Sequence, residues 1–163
     1  MQSLSVFTSI GGREMIKTVN LAKAPQYFDN VFESIYGEWG EGNPNFWKSW
    51  IKSSIREKGI PSTYVVLSDE QYAGTFSFWN CDLQSRQDLS PWVGGIVVEP
   101  SFRGQGIGLF IQTEVNRVLK EEGIKEAFLF TELDGFYEKT RWVFIEEIYD
   151  EKDNKVRLYK LCL

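Results

Sequence analysis

The chain has 163 residues, 42% hydrophobic and 25% charged, the make-up of a soluble globular domain, and no apolar run approaches the roughly 18 to 20 residues a membrane span needs. Lysine and arginine number 18 against 23 acids, a net charge of −5, which argues against a nucleic-acid partner because phosphate binding relies on clustered positive charge. There is no histidine, so Ser-His and Cys-His nucleophile systems and most zinc sites are excluded, and acid-base work falls to Asp, Glu, Tyr, Lys or water.

Residues 1–14, MQSLSVFTSIGGRE, carry no basic flank ahead of their short apolar stretch and do not read as a secretory signal. They read as a loose extension before a single domain spanning 15–163, expected in the cytoplasm. Met15 to Leu21 alternates loosely as a first strand, and Pro25 sits where a first helical turn tolerates proline. Phe28, Val31, Phe32, Ile35 and Tyr36 form one apolar stripe of a helix that Gly37 and Gly40 close. Pro44 opens a second helix with the stripe Trp47, Trp50, Ile51 and Ile55, stopped by Gly59 and Pro61. Ser62 to Leu67 and Tyr72 to Trp79 read as a hairpin around Ser68-Asp69-Glu70-Gln71, and Asp82 to Pro91 as a loop.

Trp92 to Val98 is a valine-rich strand, and Ile107 to Glu122 a helix whose Ile111, Val115, Val118 and Leu119 share a face before Gly123 ends it. Ala127 to Thr131 is a short strand and Gly135 to Thr140 a short helix. Trp142 to Tyr149 and Val156 to Cys162 close the chain as paired strands around a polar turn. The order βααβββαβαββ predicts an α/β (α+β) fold. Its sheet is mixed, mostly antiparallel and of about seven strands, with at least one parallel crossover and about four flanking helices.

The junction Gly94 to Gly108, GGIVVEPSFRGQGIG, places five glycines between a strand and a helix, although glycine is poor in both. Amides at a helix N-terminus, with the helix dipole, make an anion site, and glycines let a phosphate approach without a Cβ in the way. Arg103 adds a permanent charge with forked donors. The spacing matches neither a P-loop nor a GxGxxG dinucleotide turn, and on the glycines alone a turn without a ligand reads equally well.

Arg103-Gly104-Gln105-Gly106-Ile107-Gly108, preceded by VVEPSF, resembles the (Q/R)xxGx(G/A) signature of the GNAT superfamily of N-acetyltransferases, and the element order fits that family across 15–163. The resemblance implies acetyl-CoA as cosubstrate, its pyrophosphate held by the amides of Arg103, Gly104, Gln105, Gly106, Ile107, Gly108 and Leu109. It implies a bulged strand at Gly94-Gly95 whose Ile96, Val97 and Val98 receive the pantetheine arm, above all through the backbone of Ile96 and Val98. Gly135 to Trp142 is similar to the family's FYxxxG(F/W) segment. There the tyrosine, here Tyr137, donates a proton to the departing thiolate, a role its ordinary pKa near 10 permits. The pattern breaks at Arg141, where the family has glycine and a positive φ is common.

The implied reaction is direct attack of a primary amine on the thioester, with neither Cys81 nor Cys162 carrying an acyl group and no metal. Glu132, or Asp134 beside it, is a candidate for the amine's proton, as are Asp88 and Asp82 in the loop before Trp92. Among many aromatic residues, Trp39 and Trp92, with Asp88, are placed at the acceptor. Glu33, Glu38 and Glu41 form a charge that attracts a cation. Lys139 and Arg141 read as surface charge. The acceptor is expected to be a small-molecule amine. Three alternatives remain: a peptide or protein amine, a coenzyme-A-binding sensor without turnover, and a purely structural domain. Oligomeric state, homodimer included, stays open.

Overall fold

The computed structural model of the protein describes residues 15–163; the expected extension, 1–14, lies outside the described residues. In chain order the elements are β1 (Ile16–Asn20), α1 (Phe28–Trp39), α2 (Pro44–Ser53), β2 (Ser62–Ser68), β3 (Gln71–Trp79), β4 (Trp92–Val98), α3 (Ile107–Glu121), β5 (Glu126–Thr131), β6 (Trp142–Tyr149) and β7 (Lys155–Cys162). Short 3-10 turns stand at Pro100–Phe102 and Tyr137–Thr140 among others, the latter in place of the expected short helix. One seven-stranded sheet runs in the order β1-β2-β3-β4-β5-β7-β6. Neighbours are antiparallel except β4 and β5, which are parallel and joined by α3. Among the described residues no helix is long and apolar enough to cross a membrane.

Alternation along the strands sorts the core into two faces. Val65 and Leu67 of β2 pack with Val31, Ile35 and Ile51 of α1 and α2, whereas Tyr64 and Val66 pack with Ile111, Val115 and Leu119 of α3. A further cluster on the α2 face joins Trp79, Leu83, Trp92, Phe128 and Leu158, with Trp50 of α2 against it.

Two boundaries differ from the expectation. Gly37 lies inside α1, and Gly40 caps it, its amide reaching the Tyr36 carbonyl at 2.7 Å. Helix α2 ends at Ser53, well before Gly59. The Ser54 hydroxyl donates to the Ile51 carbonyl at 2.6 Å and bonds to Thr63 Oγ1 at 2.6 Å, which in turn meets Ser77 Oγ at 2.8 Å. These buried hydroxyls tie the end of α2 down onto β2 and β3, so Ile55 falls outside the stripe and is exposed.

Arg141 follows the 137–140 turn with φ 75 and ψ 1. It therefore adopts the left-handed conformation of a glycine without being one, because Trp142 must enter the core directly afterwards. The indole Nε1 of Trp142 donates to Gln112 Oε1 of α3 at 2.8 Å, fixing the direction in which β6 starts. A left-handed residue with a Cβ costs about 1 kcal/mol. Arg141→Gly is expected to raise the thermal midpoint by roughly 1 to 4 °C, read by circular dichroism. A lower midpoint would show that contacts of the arginine outweigh the strain.

Candidate active site

At the end of β4 the chain makes the 100–102 turn and enters α3 through two left-handed glycines, Gly104 at φ 76 and Gly106 at φ 84. A Cβ on either would meet nothing within 4 Å, so it is the backbone path and not crowding that calls for glycine. Gly106 is the N-cap of α3, and Phe110 is the first residue to bond back into the helix, its amide reaching the Gly106 carbonyl at 3.0 Å. Among the described residues no protein oxygen accepts from the amides of Gly104 to Leu109. Gly104, Gln105 and Gly106 are exposed and Ile107 is buried, so the loop offers its amides outward while Ile107 pins its base. A row of free amides at the positive end of a helix is an anion site.

Arg103 departs from the expectation. Its Nε donates to the Val98 carbonyl at 2.9 Å and its Nη2 pairs with Glu38 of α1 at 3.3 Å, so the guanidinium leans back over the end of β4. Of the acids expected to attract a cation, Glu38 is thus engaged by Arg103, and Glu41 pairs with Lys152 of the β6–β7 turn at 2.8 Å.

Strand β4 carries the expected bulge. Thr75 faces Val97 while Ser77 faces Gly94, which leaves one extra residue on β4, and Gly95 takes φ 58. On its other side β4 meets β5 in register at Trp92 and Phe128 alone, and the strands then part. Glu99 donates to Ala73 of β3 at 2.9 Å, and alternation then turns Val97 toward β3 as well. The main-chain groups of Ile96 and the amide of Val98 face the gap, while the Val98 carbonyl accepts from Arg103 Nε. Val97 does not join them, since its carbonyl lies against Gly74 and its side chain is buried.

Phe136 and Tyr137 stand across from the loop. A Cβ on Gly108 would come 3.3 Å from the Phe136 ring, so this glycine lets the ring lie against the first turn of α3. Tyr137 is buried among Phe136, Trp142 and Tyr159. Burial, reinforced by Tyr159, pushes its hydroxyl up to about 12, which keeps it protonated at neutral pH.

The carboxylates proposed for the amine's proton separate clearly. Glu132 is exposed just past β5, four residues beyond Phe128 and so about 13 Å along the strand from the point where β4 and β5 join. Asp134 pairs with Arg157 at 3.4 Å. Asp88 is held by Arg86 at 3.0 Å, and the hydrogen bond from that guanidinium keeps its carboxyl below the usual range, which makes it a poor base. Asp82 lies against Gly94 on the α1–α2 face. Trp39 is 45% exposed at the end of α1. Trp92 is fully buried, with its indole Nε1 donating to the Leu89 carbonyl at 2.8 Å, so it packs the core and presents no surface.

What sequence reasoning missed is the meeting of loops on this face. The β6–β7 turn reaches Glu41 through Lys152 and the 84–86 turn through Glu151, whose Oε1 accepts from the Gln84 amide at 2.8 Å. No sequence signal points to that contact. The glycine doublet was the one available sign that something presses on β4.

The sequence profile of the Acetyltransferase (GNAT) family matches residues 25–141. No curated protein matches the chain. Among solved structures, an aminoglycoside 6′-N-acetyltransferase complexed with coenzyme A is 12% identical, with 89% of this chain and 96% of that chain covered and a TM-score of 0.70. RimL, the ribosomal L7/L12 α-N-protein acetyltransferase in complex with coenzyme A, is 13% identical, with 98% of each chain covered and a TM-score of 0.65. A GNAT family acetyltransferase from Elizabethkingia anophelis with acetyl-CoA bound is 16% identical, with 71% and 80% covered and a TM-score of 0.53. At these identities the likeness is one of fold, and the profile match extends over more than half of the sequence. The parted strands, the free amides and that match agree: the chain belongs to the Acetyltransferase (GNAT) family.

Proposed function

We propose that the protein is an N-acetyltransferase that moves the acetyl group of acetyl-CoA to a primary amine of a small molecule, by direct attack with both reactants bound. The observation that carries this reading is the set of main-chain groups without a strand partner among the described residues, Ile96 and the Val98 amide along β4, followed by the amides of Gly104 to Leu109 at the start of α3, with the Val98 carbonyl held by Arg103 between them. Such a set fits a thin polar arm ending in a diphosphate, and its glycines leave the amides uncovered. When bound, acetyl-CoA supplies an acetyl group activated as a thioester.

The residues of the chain divide the remaining work. The amides from Gly104 onward hold the diphosphate, and the gap-facing amides of Ile96 and Val98 hold the arm and orient the thioester oxygen, where a fixed donor steadies developing negative charge. Tyr137, protonated at working pH, gives its proton to the departing thiolate. A compact acceptor is favoured because the Glu41–Lys152 pair brings the β6–β7 turn against the connection between α1 and α2. Two loops drawn together in this way suit a small amine better than an extended polypeptide. Trp39, exposed at the end of α1, offers an aromatic face to a cation.

Two variants test this division of labour. Tyr137→Phe is expected to lower kcat by about 10²-fold or more while leaving acetyl-CoA affinity within about twofold, measured by thiol release and by calorimetry. An unchanged kcat removes Tyr137 from the chemistry. Gly104→Val forces a branched side chain into a left-handed position and over the amide row. It should weaken acetyl-CoA binding at least tenfold, about 1.4 kcal/mol, and abolish most of the ligand-induced rise in melting temperature. Full binding by that variant would mean the diphosphate lies elsewhere.

A further inference from the structure

The acetyltransferase reading leaves the proton of the acceptor's ammonium group without a receiver, and two groups near Gly94 have no partner of their own. Asp82 lays its carboxyl on Gly94: Oδ2 occupies the place a Cβ would take, and Cγ is 3.1 Å from that position. Trp79 Cδ1 is 3.3 Å from the same position, and its neighbour in the ring, the indole Nε1–H, is buried with no acceptor among the described residues. Among the described residues Asp82 has neither a hydrogen bond nor an ion pair.

The spot lies at the joined end of the gap. Gly94 follows the Trp92–Phe128 pair by two residues and shares the α1–α2 face with Gly95, which sits against Ile35 of α1. Side chains leave the sheet here toward α1 and α2. The charged groups around Asp82 leave it without a counter-ion. Glu151 approaches from the β6–β7 turn, Lys152 is drawn to Glu41, and Arg86 turns to Asp88 and Glu146. Burial first, and then Glu151, push the Asp82 carboxyl up to about 7. Taken as a whole residue, Asp82 is half-buried.

We propose that Asp82 is the base that takes the proton from the acceptor's ammonium group. The assignment rests on the acetyltransferase reading of the same site. The ammonium R–NH3+ gives one proton to the carboxylate and becomes R–NH2 with a free electron pair. Its nitrogen forms the N–C bond to the acetyl carbon, and the C–S bond breaks with its electron pair on sulfur. The thiolate takes the proton of Tyr137, and the second proton lost by the nitrogen restores that tyrosine through water. The proton on Asp82 leaves to solvent, so the sum is an amide, a thiol and one released proton. Glu132 is at the open end of the gap and Asp88 is held by Arg86, so neither is placed for this step.

The test compares the wild-type chain with Asp82→Asn, using acetyl-CoA with spermidine, kanamycin and tryptamine as acceptors, and follows thiol release from about pH 5.5 to 9. Wild-type kcat/KM should rise through about pH 7. The variant should lose that limb, keep the acceptor's own titration, and turn over roughly 10²-fold or more slowly, with its melting temperature still raised by acetyl-CoA. An independent readout needs no acceptor. A carboxyl with a raised folded pKa loses stability as pH climbs from its unfolded value, near 3.9, to about 7. The wild type should therefore melt progressively lower relative to Asp82→Asn across that window and level off above it. A variant with wild-type rate and limb, or a melting difference that does not change with pH, overturns the role of Asp82 and leaves the acetyltransferase reading intact. A wild type whose melting temperature acetyl-CoA does not raise, or that binds it and turns over none of the three amines, overturns both.

Discussion

Beyond the Trp92–Phe128 pair, the edge of β4 that faces β5 has no strand to bond with, in the middle of a seven-stranded sheet. Bare amides and carbonyls there are costly unless water or a ligand meets them. The sheet does not close because the bulge at Gly94-Gly95 turns β4 away, and because α3 starts at the far end of β4 and must pack before β5 begins. Everything else at the site answers to that parting. In the proposed reading the β4 edge is a docking rail, the helix start its anion-holding end, and the point where the strands join the place where reacting atoms meet.

The rail works only if its two walls keep their distance. One wall is fixed through α3: Ile107 is buried at its base, and Gln112 receives the indole of Trp142, which ties the helix to β6. Phe136 lies on Gly108, so the segment carrying Tyr137 is indexed against the first turn of the same helix. Loop and tyrosine therefore share one support. That economy accounts for the left-handed Arg141: the chain must turn sharply after Tyr137 for Trp142 to reach Gln112, and the backbone accepts a strained residue there to keep both contacts.

Much of this was legible in the sequence because it depends on local rules. The strand 92–98 and the start of the helix at Ile107 were read at the bounds the structure shows, since valine-rich alternation and a 3.6-residue stripe are local signals. The left-handed glycines and the bulge follow from residue type. The partners of charged side chains were not legible. Arg103 was expected to face the anion and instead leans on Val98 and Glu38. Trp92 resembled a pocket wall because it follows a proline, yet its burial depends on Leu83 and Leu158, which come from other elements. Asp82 and Asp88, six positions apart in one loop, looked equivalent, and what separates them is an arginine on one and a bare glycine under the other.

Unpartnered polar atoms alone do not single out the surroundings of Gly94, because Gln112 Nε2, Asn116 Oδ1 and Thr18 Oγ1 are also buried without partners. Gln112 and Asn116 stand one helical turn apart on α3, one presenting a donor and the other an acceptor, and a small rotation would satisfy both. Trp79 has no such remedy. Its ring is clamped by a stack on Trp50, 4.4 Å between centroids, and Asp82, which lies over the same glycine, gains nothing from burial while it is charged. Leaving the indole N–H unpaired costs about 1 to 3 kcal/mol, a large share of the roughly 5 to 15 kcal/mol that holds a domain folded. Phenylalanine at position 79 would avoid that cost with similar packing. In the proposed reading, a donor and a carboxyl, each without a partner among the described residues and both over a glycine where β4 begins to part from β5, are set to meet the acceptor and not each other.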